Sequence, residues 1–443
     1  MKNIVLARLL DKSISSFTTS PPIGILCLKT VLRKEFPKNN YIFFDNSVLK
    51  EEQIKFTQLL KPISPCIILF SITYTERDLL KKYANIAKKI NKNNIIIAGG
   101  SGITCSPEEY KDYIDIDSIC SGQAENTIIN IFNDIKNNKL KNIYKQDYNL
   151  KIQIPTPDWE NFNFNNYSYL PCNNNLLKKT PYAPVMAQRG CPFNCPFCNS
   201  ILGNKINSRK IDSIIEELKN LKNKGVREIH IADDTFNISL DYAKNFLLQI
   251  IKENLNFSIS FQGLRIENTD YELFELMKKA GGYYYEFGIQ HIDSVLLNNI
   301  SRQVNVSDIN KKLLISSKLG LISEGHFMYN LPEETYSQHK ENFKFAKKLP
   351  IDFATFFKFT PFPGTSIGNK YINNFKKIPS NSFHFYNTDK RLNISNMTNN
   401  ELITINKNAY KDYYYRTSKI LSLLKKIPKN SITIKRILNT IIK

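Results

Sequence analysis

Three cysteines fall within eight residues of each other in this 443-residue chain, at Cys191, Cys195 and Cys198. Thiolates are soft ligands that both zinc and iron-sulfur clusters accept. A structural zinc site normally has four ligands, and the next histidine, His230, is more than thirty residues downstream. Three thiolates on a four-iron cluster instead leave one iron free to bind a small molecule. The spacing therefore favours a [4Fe-4S] cluster with an open iron, and a zinc knuckle is the alternative.

The segment before this motif alternates apolar runs typical of strands with helical patterns, which predicts a doubly wound parallel sheet of the α/β class over residues 1–137. Such sheets bind ligands at the carboxyl ends of their strands. The strands are predicted at residues 4–10, 41–45, 66–73, 94–100 and 118–122, and the helices near 23–35, 50–61, 76–91, 106–112 and 123–137.

Residues 138–180 are rich in Asn, Lys, Tyr and Pro and predict an irregular linker. Six further β/α units follow over residues 181–368 and predict a partial (β/α)6 barrel, and residues 369–443 predict a helical C-terminal segment. Because reactive residues of such barrels gather where strands end, the cysteines after the first strand are well placed. The barrel strands are predicted at 184–188, 228–232, 257–261, 283–289, 321–328 and 352–359, and the helices near 210–224, 240–253, 270–280, 307–319 and 335–348.

Residues 188–199, which read QRGCPFNCPFCN, resemble the signature of the radical S-adenosylmethionine (SAM) superfamily. Other segments resemble, in the same order, the branch that carries an N-terminal cobalamin-binding domain, which includes class B methylases and anaerobic Mg-protoporphyrin monomethyl ester cyclases. The resemblance covers nearly the whole chain. Its further segments are residues 20–24, 97–100, 121–125, 233–236, 288–290, 331–335, 360–365 and 412–416.

The resemblance implies that the three cysteines hold a [4Fe-4S] cluster whose open iron binds SAM, and that one electron cleaves SAM to a 5'-deoxyadenosyl radical. It also implies SAM contacts from Asp233, Asp234, Arg265 and Gln290. The alternative for the two aspartates is capping of the helix near 240–253, and for Arg265 it is a surface salt bridge. Relatives commonly carry Glu where this chain has Gln290, which puts a carboxylate role there in doubt.

Cobalamin is a further cofactor that the resemblance implies. The residues expected to face its corrin ring follow two predicted strands; they are Ser71, Thr73, Gly99, Gly100 and Gly102. A glycine-rich turn can also serve only to turn the chain. All five histidines lie beyond residue 180, so the N-terminal domain is not expected to supply an axial imidazole. The alternative is a domain that has lost cobalamin and remains as a structural lid.

Methylation of an unactivated carbon is the leading functional hypothesis from this resemblance. Radical cyclisation or rearrangement is the alternative within the branch, and a non-catalytic iron-sulfur or cobalamin sensor is a third. Peptide, lipid, tetrapyrrole and natural-product substrates all stay open. Aromatic residues on the predicted strands either line an apolar pocket or, as is more common in strands, pack in the core. They are Tyr283, Tyr284, Tyr285, Phe356, Phe357 and Phe359.

The net charge of +21 comes from lysines spread along the chain, so nucleic-acid binding is not expected. The positive charge is explained either by compositional drift of the sequence or by a basic face that binds an acidic electron donor such as flavodoxin or ferredoxin. The most basic tract is C-terminal. Its charge either contributes to such a basic face or belongs to a solvated helical face. No apolar run reaches the roughly 20 residues of a membrane helix, and a cytoplasmic protein is expected. Cys27, Cys66, Cys105 and Cys120 are expected to act as small hydrophobes, and Cys172 is unexplained.

Overall fold

The computed structural model describes residues 2–12, 14, 20–110, 113–147, 152–167, 177–199, 201–302, 305–375, 378–384, 387 and 389–429, without the side chains of 372–375 and 406. The chain divides into two compact units. The first contains Met1–Phe162, Phe197–Asn207 and Pro361–His384, and the second contains Asn163–Pro196, Ser208–Thr360 and Phe385–Lys443. Residues Phe197–Asn207 and the start of Pro361–His384 fall inside the barrel segment expected from sequence but belong to the first unit. This division does not test the predicted boundaries at 137, 180 and 368, which stay predictions.

The first unit contains a six-stranded parallel sheet in the order β2-β1-β3-β4-β5-β6. The chain leaves β1 in one direction to form β2 and then returns to its other side to form β3, which places the topological switch point between β1 and β3. The strands are β1 (Asn3–Arg8), β2 (Asn40–Asp45), β3 (Ile67–Ser71), β4 (Ile95–Gly99), β5 (Ser118–Ser121) and β6 (Ile143–Lys145).

Helices cover both faces of this sheet because alternate strand residues point to opposite sides. Val5 of β1 belongs to one hydrophobic core with Tyr83, whereas its neighbour Leu6 belongs to another with Ile25 and Ile131. This two-sided burial confirms the doubly wound α/β prediction. The helices are α1 (Ile23–Glu35), α2 (Glu52–Leu60), α3 (Arg77–Ile90), α4 (Ser101–Cys105) and α5 (Thr127–Lys136).

One local prediction for this unit was wrong, and one strand was not predicted. The helix expected near 106–112 is replaced by α4 and a 3-10 helix at Pro107–Tyr110, because the residue before a proline is disfavoured in a helix; residues 111 and 112 lie outside the described part. The linker predicted over 138–180 contains β6, which pairs with β5 at the sheet edge. A strand of three residues is too short to show the alternation of apolar and polar residues from which a strand is predicted.

The second unit contains six parallel strands in the order β14-β13-β12-β11-β10-β7. The sheet has β7 and β14 as its edges, which confirms the predicted partial barrel. The strands are β7 (Tyr182–Val185), β10 (Glu228–Ile231), β11 (Ser258–Leu264), β12 (Gly282–Gln290), β13 (Ile322–Tyr329) and β14 (Phe353–Lys358), and β8 (Gln188–Arg189) pairs separately with β9 (Asn207–Ser208). The helices between them are α6 (Ile211–Asn223), α7 (Leu240–Lys252), α8 (Tyr271–Lys279), α9 (Ser294–Asn299), α10 (Val306–Lys318) and α11 (Tyr336–Lys348).

The aromatic strand residues divide between the two faces of this sheet. Tyr285 packs on Phe274 of α8 with ring centroids 5.5 Å apart, which places it on the helix-covered face. Its neighbour Tyr284 points the other way and donates its hydroxyl to Glu324 of β13. Tyr283, Phe356 and Phe359 are also buried, while Phe357 is half-buried. Core packing is therefore the main use of these rings.

Three helices follow the strands: α12 (Ser366–Phe375), which belongs to the first unit, and α13 (Asn399–Tyr414) and α14 (Thr417–Lys426), which belong to the second. They confirm the predicted helical C-terminal segment. The Tyr414 hydroxyl donates to the Ala354 carbonyl of β14 at 2.9 Å. Among the described residues, no helix combines the length and hydrophobicity needed to span a bilayer.

The basic C-terminal tract is partly docked on the barrel rather than wholly solvated. Lys426 forms an ion pair with Asp352 at 2.8 Å, and Lys419 and Arg416 donate to backbone carbonyls. Its exposed members include Lys411, Lys425 and Lys429. Residues Lys435, Arg436 and Lys443 lie outside the described part.

Candidate active site

The loop that carries the three cysteines begins directly after β8. Gly190 takes φ +89°, which a residue without a side chain adopts at little cost. Its N–H donates to the Asp234 carboxylate at 3.0 Å, and Cys191 Sγ lies 3.4 Å from Thr235 Oγ1. The Asp233–Phe236 segment after β10 therefore holds the start of the cysteine loop. Cys191 and Cys195 are half-buried and Cys198 is exposed.

Asp233 is completely buried. Its Oδ1 accepts the Ala187 N–H at 2.7 Å, and its other carboxylate oxygen has no hydrogen-bond partner within the described ranges. Burial raises the pKa of this carboxyl to about 7, because a charge far from water is disfavoured. Asp233 thus ties the chain between β7 and β8 to the end of β10, and its contact with SAM stays a prediction.

The helix-capping alternative for the two aspartates was wrong. The side chain of Ser239 caps α7 by accepting the Tyr242 N–H at 3.3 Å. Asp233 and Asp234 instead accept N–H groups from residues 187 and 190. Asp234 is exposed, so its carboxylate is accessible to a ligand while it holds Gly190.

Arg265 lies against the cysteine loop. Its guanidinium carbon is 3.6 Å from the ring centroid of Phe193, which stands between Cys191 and Cys195 in the chain. A weak ion pair joins it to Glu267 at 3.8 Å. Its side chain is only 18% exposed, so the pair is not an open surface salt bridge.

Asn237 fixes the backbone of Arg265, and sequence reasoning missed it. The fully buried Asn237 accepts the Arg265 N–H at 2.9 Å and donates to the Arg265 carbonyl at 2.8 Å. The same side chain donates to the Asn268 carbonyl. The available signal was an Asn three residues after Asp234, a type that commonly bonds backbone groups in loops.

Arg302 is a second guanidinium near the cysteines, and no sequence pattern indicated it. Its side chain is 7% exposed, and it donates to the Gly288 carbonyl at 2.6 Å and pairs with Glu267 at 3.2 Å. Burial raises the pKa of the Cys195 thiol, while Arg302 and Arg265 oppose that rise. The two cations therefore favour the thiolate that a metal cluster requires.

Gln290 ends β12 with φ +72°, next to a register shift against β13. Its side chain folds over Gly288, where a Cβ would stand 2.2 Å from Gln290 Nε2. The carboxylates nearby lie deeper in the sheet, where His326 Nε2 is 3.5 Å from Glu324 and 3.6 Å from Glu286. This polar cluster was also missed, because its members belong to different strands.

The donor chemistry of the cysteine loop fits an iron-sulfur cluster. None of the seven described cysteines forms a disulfide, so the three thiols are available; Cys172 lies outside the described residues. Over the described ranges, no group of three or more His, Cys, Asp or Glu side chains is arranged to hold one metal ion. A cubane does not require such convergence, because each cysteine bonds a different iron.

The residues predicted to face cobalamin lie at the carboxyl ends of two neighbouring inner strands of the first unit's sheet, β3 and β4. Ser71 and Gly99 are register partners at the ends of β3 and β4. Gly100 and Gly102 face backbone, because an added Cβ would lie 2.4 Å from the Ile72 carbonyl oxygen and 2.4 Å from that of Thr73, respectively. These two glycines therefore serve close packing of the loops. Thr73 is exposed and Ser71 half-buried.

The first unit also contains one histidine, His384, because residues Pro361–His384 belong to it. The adjacent Phe383 packs edge-on against Tyr74, the residue after Thr73, with centroids 5.2 Å apart. Residues 1–180 contain no histidine. The compact unit that holds the sheet nevertheless includes an imidazole from a distant part of the chain.

Two family models match the chain in succession: the B12 binding domain over residues 14–132 and the radical SAM superfamily over residues 185–346. The chain is similar to an uncharacterized methyltransferase of Pyrococcus horikoshii, with 29% identity over 413 residues that cover 90% of this chain and 89% of that one. It is also similar to the anaerobic magnesium-protoporphyrin IX monomethyl ester cyclase of Rubrivivax gelatinosus, with 24% identity over 373 residues, 77% of this chain and 65% of the cyclase.

Among solved structures, the fold is similar to that of TsrM from Kitasatospora setae, a radical SAM methyltransferase with a tryptophan substrate and a SAM analogue bound. The TM-score is 0.67 at 15% identity, over 85% of this chain and 77% of that one. The cobalamin-dependent radical SAM enzyme OxsB with aqua-cobalamin and SAM bound gives a TM-score of 0.64 at 15% identity, over 93% and 62%. The chain thus carries a B12-binding domain over residues 14–132 ahead of a radical SAM superfamily domain over residues 185–346, which identifies it as an enzyme whose cofactors are a [4Fe-4S] cluster, SAM and cobalamin.

Proposed function

We propose that this protein is a methyltransferase that uses cobalamin and radical SAM chemistry to methylate an unactivated carbon. The observation that carries the proposal is the cysteine loop, held by Asp234 and flanked by Arg265, in a chain that also has a B12-binding domain. The similarity to the Pyrococcus methyltransferase along nearly the full length of both chains supports methyl transfer. Cyclisation or rearrangement is the second candidate, because a cyclase is also among the relatives.

Cys191, Cys195 and Cys198 are the residues proposed to hold the cluster. When bound, the cluster supplies an electron that cleaves SAM and cobalamin supplies a methyl carrier. Within the second unit, Asp234 orients the loop through the Gly190 N–H, and Thr235 lies beside Cys191. Partial burial of Cys191 and Cys195 reduces the access of water to their side chains.

For SAM, the proposed contacts come from Asp233, Asp234, Arg265 and Gln290. Asp234 is the exposed carboxylate of the pair, whereas buried Asp233 acts by positioning residue 187. The Arg265 guanidinium matches the geometry of a carboxylate, and the Asn237 clamp fixes its backbone. Gln290 offers an amide at the end of β12, where a neutral side chain can donate and accept.

For cobalamin, the proposed site is the edge formed by Ser71, Thr73, Gly99, Gly100 and Gly102. Parallel sheets bind ligands outside the carboxyl ends of strands near the switch point, and β3 borders that point here. Ser71 and Thr73 supply accessible hydroxyls, and Gly100 and Gly102 keep the two loops close.

The electron donor is proposed to be an acidic carrier such as flavodoxin or ferredoxin. The net charge of +21 supports this choice, since opposite charges accelerate encounter. Exposed lysines of the second unit, including Lys411, Lys425 and Lys429, add to that field. The substrate class stays open, with a small molecule, a lipid and a peptide as candidates.

The cluster assignment is tested by iron binding. The wild type, a Cys191→Ala/Cys195→Ala/Cys198→Ala variant and a Cys105→Ala control are purified without oxygen and reconstituted with iron and sulfide. We expect about four iron atoms per chain in the wild type and control and a nearly complete loss in the triple variant. Equal iron content and equal visible absorption in all three proteins would refute the assignment.

The reaction class is tested by products. The reduced holoenzyme is incubated with SAM labelled in its methyl group and a low-molecular-weight cell extract. Methyl transfer predicts S-adenosylhomocysteine together with 5'-deoxyadenosine and label in a product carbon. Formation of deoxyadenosine with an altered substrate but no transferred label would favour the cyclase alternative.

A further inference from the structure

We propose that Arg302, with Arg265 and Glu267, sets the reduction potential of the cluster on the Cys191–Cys198 loop. The inference rests on the cluster assignment above. It concerns a buried charge group that no motif of the chain indicates. Arg302 is a positioning residue in this role, since it acts on the electron affinity of the cluster through its charge.

The three side chains form a connected group within the second unit. Glu267 lies between the two guanidinium groups, 3.2 Å from Arg302 and 3.8 Å from Arg265. Arg265 in turn covers the Phe193 ring at 3.6 Å, inside the cysteine loop. Two cations and one carboxylate leave this group with a net positive charge.

Arg302 is the more deeply buried of the two cations, with 7% of its side chain exposed against 18% for Arg265. Through Glu267 it connects to Arg265, whose guanidinium covers the ring of Phe193 between Cys191 and Cys195 in the chain. The Nε of Arg302 is buried and has no hydrogen-bond partner within the described residues. Such a buried N–H can donate to a sulfur atom without losing an existing bond.

The direction of the effect follows from charge. One electron from an external low-potential donor reduces the cluster from the 2+ to the 1+ state, which makes the site more negative by one charge. A nearby cation stabilises the reduced state and raises the potential, and a nearby carboxylate lowers it. Arg302 and Glu267 must therefore act with opposite signs.

The test measures the midpoint potential of the reconstituted cluster by electron paramagnetic resonance during a dithionite titration without SAM, together with iron content. For Arg302→Gln we expect a potential more negative than that of the wild type, and for Glu267→Gln one more positive. Arg302→Lys keeps the charge and should stay close to the wild type. Arg391→Gln is the control, because Arg391 is exposed and pairs with Asp389.

Opposite shifts in Arg302→Gln and Glu267→Gln, with full iron content, would support the inference. Unchanged potentials, or shifts of the same sign, would overturn it, as would a loss in Arg302→Lys as large as in Arg302→Gln. If Arg302→Gln does not fold, Glu267→Gln decides alone: a positive shift supports the inference and its absence overturns it. A wild type without any cluster would instead refute the proposed function.

Discussion

Gly263 of β11 is a position where the structure predicts a large effect from one methyl group. It takes φ +70°, and an added Cβ would lie 2.5 Å from the Asp233 carbonyl oxygen and 2.6 Å from that of Asp234. The left-handed backbone costs a residue with a side chain about 1–2 kcal/mol. Overpacking against backbone adds about 1–3 kcal/mol. We therefore expect Gly263→Ala to lower the free energy of unfolding by about 2–5 kcal/mol.

Gly225 provides the matched control. It follows α6 with φ +83°, and nothing lies within 4 Å of its added Cβ. Gly225→Ala thus carries the backbone cost without the clash, and we expect about 1–2 kcal/mol. The assay is urea unfolding of both variants, with iron content after reconstitution as a second readout. Equal destabilisation of the two variants would refute the argument that Gly263 keeps the Asp233–Asp234 loop in place.

Three further predictions concern the same elements. Burial raises the folded-state pKa of Asp233 from 3.8 to about 7, so the folded protein binds that proton more tightly than the unfolded chain does. The free energy of unfolding should therefore fall by roughly 4 kcal/mol as pH rises from the lower to the higher of these two values. Urea unfolding at a series of pH values should show a flatter profile for Asp233→Asn than for the wild type. Asn237→Ala should lower the free energy of unfolding by about 1–3 kcal/mol, because it removes two hydrogen bonds to the Arg265 backbone. It should also weaken SAM binding measured by calorimetry, and an unchanged SAM affinity would contradict a role of Asn237 in positioning Arg265. Gly100→Ala, with φ +99° and a Cβ 2.4 Å from the Ile72 carbonyl, should reduce cobalamin retained after gel filtration, whereas Gly24→Ala in α1, with open space around it, should not.

Much of the fold was predictable because hydrophobic periodicity is a local property. The apolar run at residues 4–7 specifies a strand buried on both faces, and Val5 and Leu6 indeed enter two different cores. Short elements without such a run, β6 above all, were missed. The aromatic residues on the barrel strands also showed the limit of local information, because only the packing decides that Tyr285 faces the helices and Tyr284 faces Glu324.

The sequence by itself determined the cluster ligands proposed here, since three thiols at close spacing on one loop are a local feature. It also determined the order of the longer strands and helices. Only the tertiary structure decided that Asp233 is buried while Asp234 is exposed, and that Asn237 clamps Arg265. It also brought Arg302 to the cysteine loop from more than a hundred residues away. The physical reason is that burial and charge proximity depend on which strands become neighbours, a long-range outcome that no short segment of the chain contains.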